Sequence, residues 1–389
     1  MKILHIASFN GNIGDNANHN GFRKNFQNLI SENIEWNNLE IRNFYKSWNK
    51  MKFDENFIKI VNKYDLLIIG GGNFFEICHN YSSTGTTIDI SIEILKQIKI
   101  PIFFNSLGLD SDKEYTVESK EKFKKFIDYL LNNYDKYFVS FRNDGSKQYF
   151  INLYGYFDNR IKIIPDGGFF FELNTNINLS NQKYIGINMA IDSHKLVENL
   201  SYDELLNKFK SFILKFILKY PEYKILFFPH ILSDLKIIYD IVSTLDDIYI
   251  KYNIEIAPYL TGEGSEKEFY KYYLKCKTIL GMRFHANVVG IAFNIPTIGL
   301  VSYSKIKNLY SELRIKERII NIKNINFSNE LLELVEKNLI NKIEIEKELL
   351  TKNLELKILK EEVYIELKKW INSWRKNEES SNNTFKSGL

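Results

Sequence analysis

The residues of this chain that are best suited to chemistry are Arg283, His285 and Lys305. Arg283 and His285 follow residues 278–282, an apolar run that is predicted to be a strand, and Lys305 follows the next predicted strand, residues 296–301. A short apolar helix between the strands places both turns at one sheet edge, where open parallel sheets bind ligands. Two cations beside an imidazole that titrates near neutral pH indicate proton-transfer chemistry on an anionic substrate.

Two glycine-rich turns also follow predicted strands. Residues 11–16 open a helix, and residues 70–73 end a strand. Glycines in such turns let backbone amides approach an anionic ligand, but a tight turn or close packing of the chain explains them as well. The predicted acceptor-binding or phosphate-binding residues at these turns and at a further strand end are Gly11, Gly14, Asp15, Gly71, Gly72, Asn73 and His230.

Arg142 ends another predicted strand, residues 137–141. A lone arginine at a strand end is usually solvated. We nevertheless predict that Arg142 binds the substrate, because a set of cations is expected across a cleft between the two halves of the chain. The strand-end position of His230 is explained equally by a turn.

Apolar runs alternate with stretches of helical period, which is typical of an α/β fold with parallel sheets. A polar stretch at residues 173–181 interrupts the alternation, which then restarts, so two Rossmann-like domains are predicted. The predicted bounds are 1–175 for the first domain, 183–325 for the second domain with the Arg/His/Lys site, 326–375 for C-terminal helices and 376–389 for a disordered tail.

Composition excludes several classes of protein. Apolar residues make up 44% and charged residues 26%, as in soluble globular proteins. The net charge of +4 does not indicate nucleic-acid binding. No apolar stretch is long enough to span a membrane, so we expect a cytoplasmic protein with at most peripheral membrane association. The 6 histidines and 2 cysteines lack metal-ligand spacing, so no metal site is predicted.

Four motifs resemble those of the polysaccharide pyruvyltransferases. They are Gly-Asn-Ile-Gly-Asp at 11–15, Gly-Gly-Gly-Asn at 70–73, Ser-x-Arg-x-x-x-Ser at 140–146, and Gly-Met-Arg-Phe-His-Ala at 281–286 followed by Ile-Pro-Thr-Ile-Gly-Leu and Lys305. The resemblance spans residues 1–315, and its last block is the most specific. It implies two Rossmann-like domains in a glycosyltransferase-B-like arrangement, with helices at the C-terminus.

The resemblance also implies an activity. A member of this family is an enzyme that transfers the enolpyruvyl unit of phosphoenolpyruvate to hydroxyls of a sugar in a cell-surface polysaccharide or its precursor, forming a pyruvate ketal. Phosphoenolpyruvate would be a co-substrate, and no cofactor is expected. At the family's basic positions stand His285, implied to be catalytic, and Arg142, Arg283 and Lys305, implied to bind the donor.

The residue types suit this chemistry independently of the resemblance. Phosphoenolpyruvate carries a carboxylate and a phosphate, which arginine can pair in bidentate fashion and lysine can neutralise as a point charge. Both an acid and a base role for His285 stay open. The sequence also leaves open which sugar is the acceptor, which of its hydroxyls are bridged, and whether the acceptor is attached to a lipid, a polymer or a nucleotide.

Two other functions fit the same sequence features. A nucleotide-sugar-dependent glycosyltransferase of the same architecture, acting in surface polysaccharide synthesis, is the main alternative. A non-catalytic sugar-binding protein would share the fold but would not need a histidine with several cations at one site. Binding of phosphoenolpyruvate or of a nucleotide sugar separates the two enzymes.

Overall fold

A computed structural model of the chain describes residues 1–30, 32–109, 112–173, 183–194 and 199–386. The chain divides into two compact units. Unit 1 consists of Met1–Ser8, Arg23–Asp166 and Lys357–Leu389. Unit 2 consists of Phe9–Phe22 and Gly167–Leu356. The predicted linker at residues 173–181 lies, except for residue 173, outside the described residues, and the predicted domain bounds stay a prediction.

Unit 1 is built on a six-stranded parallel sheet, which we call sheet A. Its strands are β1 (Lys2–Ala7), β2 (Glu35–Glu40), β3 (Leu66–Gly72), β4 (Ile102–Leu107), β5 (Tyr137–Arg142) and β6 (Lys162–Ile164). Their order across the sheet is β2-β1-β3-β4-β5-β6. β3, β4 and β5 are buried along their whole length, as expected for parallel strands that are covered on both faces.

Unit 2 contains the second six-stranded parallel sheet, sheet B. Its strands are β7 (Tyr184–Asn188), β8 (Lys224–Phe227), β9 (Ile254–Ile256), β10 (Cys276–Gly281), β11 (Thr297–Val301) and β12 (Ile319–Asn321). Their order is β12-β11-β10-β7-β8-β9. The carboxyl ends of β11, β10, β7 and β8 therefore lie side by side, and all strand pairs in this sheet are parallel.

The helices connect the strands of each sheet. They are α1 (Ile13–Leu29), α2 (Glu55–Val61), α3 (Ile92–Gln97), α4 (Val117–Asn132), α5 (Ser146–Tyr154), α6 (Ile191–His194), α7 (Tyr202–Lys219), α8 (Asp234–Val242), α9 (Asp247–Asn253), α10 (Ser265–Phe269), α11 (Phe284–Ala292), α12 (Ser304–Glu312), α13 (Phe327–Ile340) and α14 (Lys342–Lys386). Short 3₁₀ helices span Ile41–Phe44, Gly167–Phe170, Tyr273–Lys275 and Lys316–Arg318.

Helix α4 illustrates how local sequence specifies these elements. Thr116 and Ser119 form a capping box at its start, which satisfies backbone groups that the first turn leaves unpaired. Phe123, Phe126 and Ile127 recur at helical spacing and are buried in the core of unit 1. An apolar stripe also recurs in α7, where the side chain of Ser201, just before the helix, accepts from the N–H of Glu204.

The predicted fold class is confirmed: each unit has one parallel sheet with flanking helices. The sequence does not predict β2 and β12. β2 is an edge strand in which no residue is fully buried, so it lacks an apolar run, and β12 is only 3 residues long. Helix α14 reaches Lys386, inside the segment predicted to be disordered, because extending an existing helix costs far less than starting one.

Among the described residues, no helix is both long enough and apolar enough to cross a lipid bilayer.

Candidate active site

The turn after β10 carries Arg283 and His285. Arg283 directly precedes α11, and its backbone N–H donates to Asn188 Oδ1 at 2.9 Å. The side chain of Asn287 donates to the carbonyls of Gly281 and Arg283, each at 2.9 Å. These bonds tie the turn to the ends of β7 and β10, so both functional side chains start from a fixed backbone. His285 lies in the first turn of α11, where the helix dipole is positive.

Two carboxylates hold the guanidinium of Arg283. Asp234, which is buried, accepts from Nε at 2.8 Å and from Nη2 at 2.5 Å. Asp192, whose side chain is 55% exposed, accepts from Nη2 at 2.7 Å. Burial lowers the pKa of Arg283, but the hydrogen bond and charge of Asp234, with those of Asp192, outweigh burial and raise it. Asp234 therefore orients the guanidinium from the buried side, while Asp192 occupies a side that an incoming anion can take.

His285 lies against the first turn of α1. Its Nδ1 is 3.4 Å from Asp15 Oδ1, and both side chains are largely buried. A Cβ atom on Gly14 would lie 2.8 Å from His285 Cγ and 2.9 Å from Nδ1, so only glycine leaves room for the imidazole. When Nδ1 faces a carboxylate, a neutral imidazole carries its proton there and its lone pair on Nε2. In that tautomer Nε2 is the nitrogen that can accept a proton, and the catalytic role of His285 stays a prediction.

The loop before α1 is held within unit 2 by its own amides. The N–H of Gly11 donates to Thr261 Oγ1 at 2.9 Å, and the N–H of Ile13 donates to the carbonyl of His230 at 3.2 Å. The N–H of Gly14 donates to Asn12 Oδ1 at 3.0 Å. These amides are already bonded, so the loop's main contribution at this site is to place Gly14 and its neighbour Asp15 beside His285. A phosphate-binding role for the loop stays a prediction.

Replacing Gly14 by alanine is expected to lower turnover by roughly 10²-fold, because the new methyl group displaces the imidazole and a shift of about 1 Å in a catalytic group costs that much. Overpacking is expected to cost a further ~1–3 kcal/mol of stability. Steady-state kinetics and thermal unfolding check both effects, with Asn28→Ala, at an exposed position of the same helix, as the control. Wild-type turnover in Gly14→Ala would show that this contact does not set the position of the ring.

Lys305 lies in the first turn of α12, directly after β11, and is only 6% exposed. The N–H of Phe284 donates to the hydroxyl of Tyr303 at 3.1 Å. This bond joins the turn after β10 to the turn after β11. The structure therefore brings Arg283, His285 and Lys305 to neighbouring turns of one sheet edge, as the sequence predicts, and their chemical roles stay predictions.

His230 follows β8 and is fully buried. Its Nε2 is 2.7 Å from the hydroxyl of Tyr273, and its Nδ1 has no hydrogen-bond partner among the residues that the structure describes. Burial lowers the pKa of His230 well below its usual value, and the nearby positive charge of Arg283 lowers it further. His230 is therefore neutral at physiological pH and lies near the site without bringing a charge to it. Its predicted binding role stays a prediction.

Arg142 lies at the carboxyl end of β5 in unit 1 and is 4% exposed. Its Nε donates to Asp144 at 2.8 Å, and its Nη1 donates to Asp166 at 3.3 Å. Both carboxylates are fully buried. The backbone N–H of Asp166 is bound in turn by Asn143 Oδ1 at 3.0 Å. Two buried carboxylates thus hold the guanidinium, which gives Arg142 a structural function in unit 1, and its donor-binding role stays a prediction.

The second glycine motif belongs to the end of β3 rather than to a loop, because the strand extends to Gly72. A Cβ atom on Gly70 would lie 2.9 Å from Leu107 Cδ2, and one on Gly72 would lie 2.9 Å from Phe74 Cε1. Close packing of the chain therefore accounts for Gly70 and Gly72. The binding roles predicted for Gly71, Gly72 and Asn73 stay predictions.

Sequence reasoning misses three residues that position the site: Asn188, Asp192 and Asp234. Asn188 ends β7, Asp192 lies in the short helix that follows β7, and Asp234 begins the helix that follows β8. All three lie at the carboxyl end of a strand of sheet B or in the helix that follows it. That position is the signal that could have found them, because it is where open parallel sheets bind ligands.

Solved structures share this fold. The UDP-GlcNAc 2-epimerase from Methanocaldococcus jannaschii is similar over 87% of this chain and 93% of its own, with a TM-score of 0.53 and 15% identity. Alr3699/HepE of Anabaena, solved with UDP and glucose, is similar over 94% of this chain and 99% of its own, with a TM-score of 0.52 and 10% identity. At these identities the likeness shows the glycosyltransferase-B-like fold alone.

No curated protein matches the chain at a significant level. A sequence model of a family described as polysaccharide pyruvyl transferase matches residues 12–305. The match begins at the loop that precedes α1, includes Arg142 and the turn after β10, and ends at Lys305. It therefore covers most of the chain and the residues that form the candidate site. The chain belongs to the polysaccharide pyruvyl transferase family, and it is a transferase.

Proposed function

We propose that the protein transfers the pyruvyl unit of phosphoenolpyruvate to hydroxyls of a polysaccharide or of its precursor, forming a cyclic pyruvate ketal. The observation that carries the proposal is the contact of His285 with Asp15, 3.4 Å apart, on the sheet edge that also carries Arg283 and Lys305. This arrangement combines a proton-transfer group with two cations, and membership of the family supports a sugar acceptor.

The donor is bound through its two anionic groups. Arg283 is held by Asp234 from the buried side and meets the exposed carboxylate of Asp192 on the other. A carboxylate or phosphate of the donor takes the place of Asp192 and pairs with the same edge of the guanidinium. Lys305, one strand away, adds a point charge for the remaining oxygens.

His285 acts as the general base in this scheme. Its Nε2 removes the proton of the attacking sugar hydroxyl while the hydroxyl oxygen bonds to C2 of the donor, C3 takes a proton from water to become the ketal methyl group, and the imidazolium returns its proton to water. The C2–O bond to phosphate then breaks, and a second hydroxyl bonds to C2 and gives its proton to the departing phosphate. The contact of Nδ1 with Asp15 favours the base role, because it holds the ring proton away from Nε2.

In the alternative scheme His285 acts as a general acid. A protonated His285 would donate to the C3 methylene as positive charge develops at C2, and Asp15 would then stabilise the imidazolium. Replacement of Asp15 by asparagine separates the roles through the pH dependence of kcat/KM. A base requires the neutral ring and is active above its pKa, whereas an acid is active below it.

Replacing Lys305 by alanine is expected to weaken binding of phosphoenolpyruvate by about 1.5–3 kcal/mol, the range for a lost hydrogen bond to a charged group. Lys307→Ala is the matched control, because Lys307 lies on the same helix at an exposed position. Calorimetric titration of both variants measures the difference. Equal donor affinity in the two variants would remove Lys305 from the donor site.

The proposal is tested by following the donor carbon. The full chain is incubated with phosphoenolpyruvate labelled with ¹³C at C2 and with surface glycans as acceptors. Phosphate release together with a quaternary ketal ¹³C resonance on the glycan is the expected result. Sugar transfer from a nucleotide sugar, with no phosphate released from phosphoenolpyruvate, would overturn the proposal in favour of the glycosyltransferase.

A further inference from the structure

A cluster of metal-binding residue types lies in unit 1, outside the site described above. Glu76, Cys78 and His79 each offer one ligand atom, and these three atoms lie within 4.8 Å of one another. The cluster follows the end of β3 and borders a cavity of 660 Å³ that Glu76 and His79 help to line. The sequence does not predict a metal site here, because three ligands within four residues match none of the usual spacings.

The backbone of this segment places the cluster. Phe75 and Ile77 are buried in the core of unit 1, at 0% and 2% exposure. Glu76 and Cys78, which alternate with them, are only partly buried. Backbone bonds fix the segment at both ends, because the N–H of Phe75 donates to Gly108 at 3.2 Å and that of His79 donates to Gly85 at 3.2 Å. The core therefore holds the cluster in place.

Cys78 differs in its solvent exposure from Cys276, the other cysteine of the chain. Cys276 is buried, while Cys78 is partly exposed. Burial raises the pKa of the Cys276 thiol, which keeps it protonated. Cys78 is thus the cysteine that can reach a dissolved ion.

One cation already pairs with the cluster. Lys113 Nζ lies 2.6 Å from Glu76 Oε2, and the Lys113 side chain is 44% exposed. The ammonium therefore neutralises a carboxylate that faces two further ligand groups, and its exposure lets it move into solvent without a large cost. A metal ion that binds here must compete with Lys113 for Glu76.

We propose that Glu76, Cys78 and His79 bind a zinc ion. A thiolate, an imidazole and a carboxylate are the ligand set that suits zinc, and three protein ligands leave one coordination position open. Zinc binding releases the Cys78 proton to the solvent and displaces Lys113 from Glu76. An oxygen of water completes the coordination at the open position.

Zinc titration of the full, untagged chain under reducing conditions tests the proposal. A chromophoric chelator reports the affinity, and cobalt in place of zinc reports the ligands, because a thiolate ligand gives a charge-transfer band. We expect one zinc ion per chain and this band in the wild type. Cys78→Ser is expected to abolish the band and to lower zinc affinity at least tenfold, roughly the smallest loss seen when even a supporting residue of a metal site is changed.

Two further variants test whether zinc binds at Cys78 and competes with Lys113. Cys276→Ser, which changes the buried cysteine, is expected to bind both metals like the wild type. Lys113→Ala is expected to bind zinc more tightly, because it removes the competing cation. Circular dichroism checks that each variant is folded. Absence of stoichiometric zinc binding by the wild type, or a cobalt band that survives in folded Cys78→Ser, would overturn the proposal.

Discussion

Replacement of His285 by alanine is expected to lower turnover by about 10²- to 10⁴-fold, the range for loss of a general acid or base. Binding of phosphoenolpyruvate is expected to stay close to that of the wild type, because Arg283 and Lys305 remain. The imidazole is largely buried against Asp15 and Gly14, and alanine carries no group that can transfer a proton in its place. Stopped assays of phosphate release and calorimetric titration of the donor measure the two effects separately.

His285→Asn, which keeps a polar side chain at this position, controls for loss of packing against Gly14. It is expected to be as inactive as His285→Ala, since an amide cannot accept the proton. If His285→Ala turned over at a near-normal rate with any accepted sugar, the histidine would be structural and the chemistry would lie elsewhere.

Replacement of Arg142 by alanine is expected to destabilise the protein by about 3–5 kcal/mol, because it leaves two fully buried carboxylates, Asp144 and Asp166, without their cation. Urea unfolding followed by far-UV circular dichroism measures the loss.

Arg160→Ala is the matched control. Arg160 also pairs with an aspartate two positions away, Asp158, but its side chain is 45% exposed, so its removal is expected to cost less than about 1 kcal/mol. An Arg142→Ala variant of wild-type stability would contradict the structural function of Arg142. If such a variant also failed to bind phosphoenolpyruvate, the donor-binding role predicted from the sequence would be supported instead.

Much of the fold could be predicted because parallel strands are buried on both faces and therefore appear as apolar runs. β3, β5, β10 and β11 are found within two residues of their ends. β2 and β12 could not be found in this way. β2 is a polar edge strand and β12 is short, so neither needs the apolar run that marks the others.

The candidate site, like the fold, could be predicted only in part from the sequence. Arg283, His285 and Lys305 are recognisable because they follow predicted strands, and the parallel order of β10 and β11 brings them to one edge. The contact of His285 with Gly14 and Asp15 could not be predicted, since it depends on how residues 9–22 pack within unit 2. The carboxylate that holds Arg283 is likewise set by tertiary packing, and Asp234 has no distinguishing sequence motif.

We expect this site to bind phosphoenolpyruvate as its donor. Calorimetric titration of the full chain with phosphoenolpyruvate, and separately with UDP-sugars, measures whether it does. We expect phosphoenolpyruvate to bind the wild type and His285→Ala alike and to bind Lys305→Ala more weakly, with no binding of the UDP-sugars. Tight binding of a UDP-sugar and none of phosphoenolpyruvate would contradict the claim.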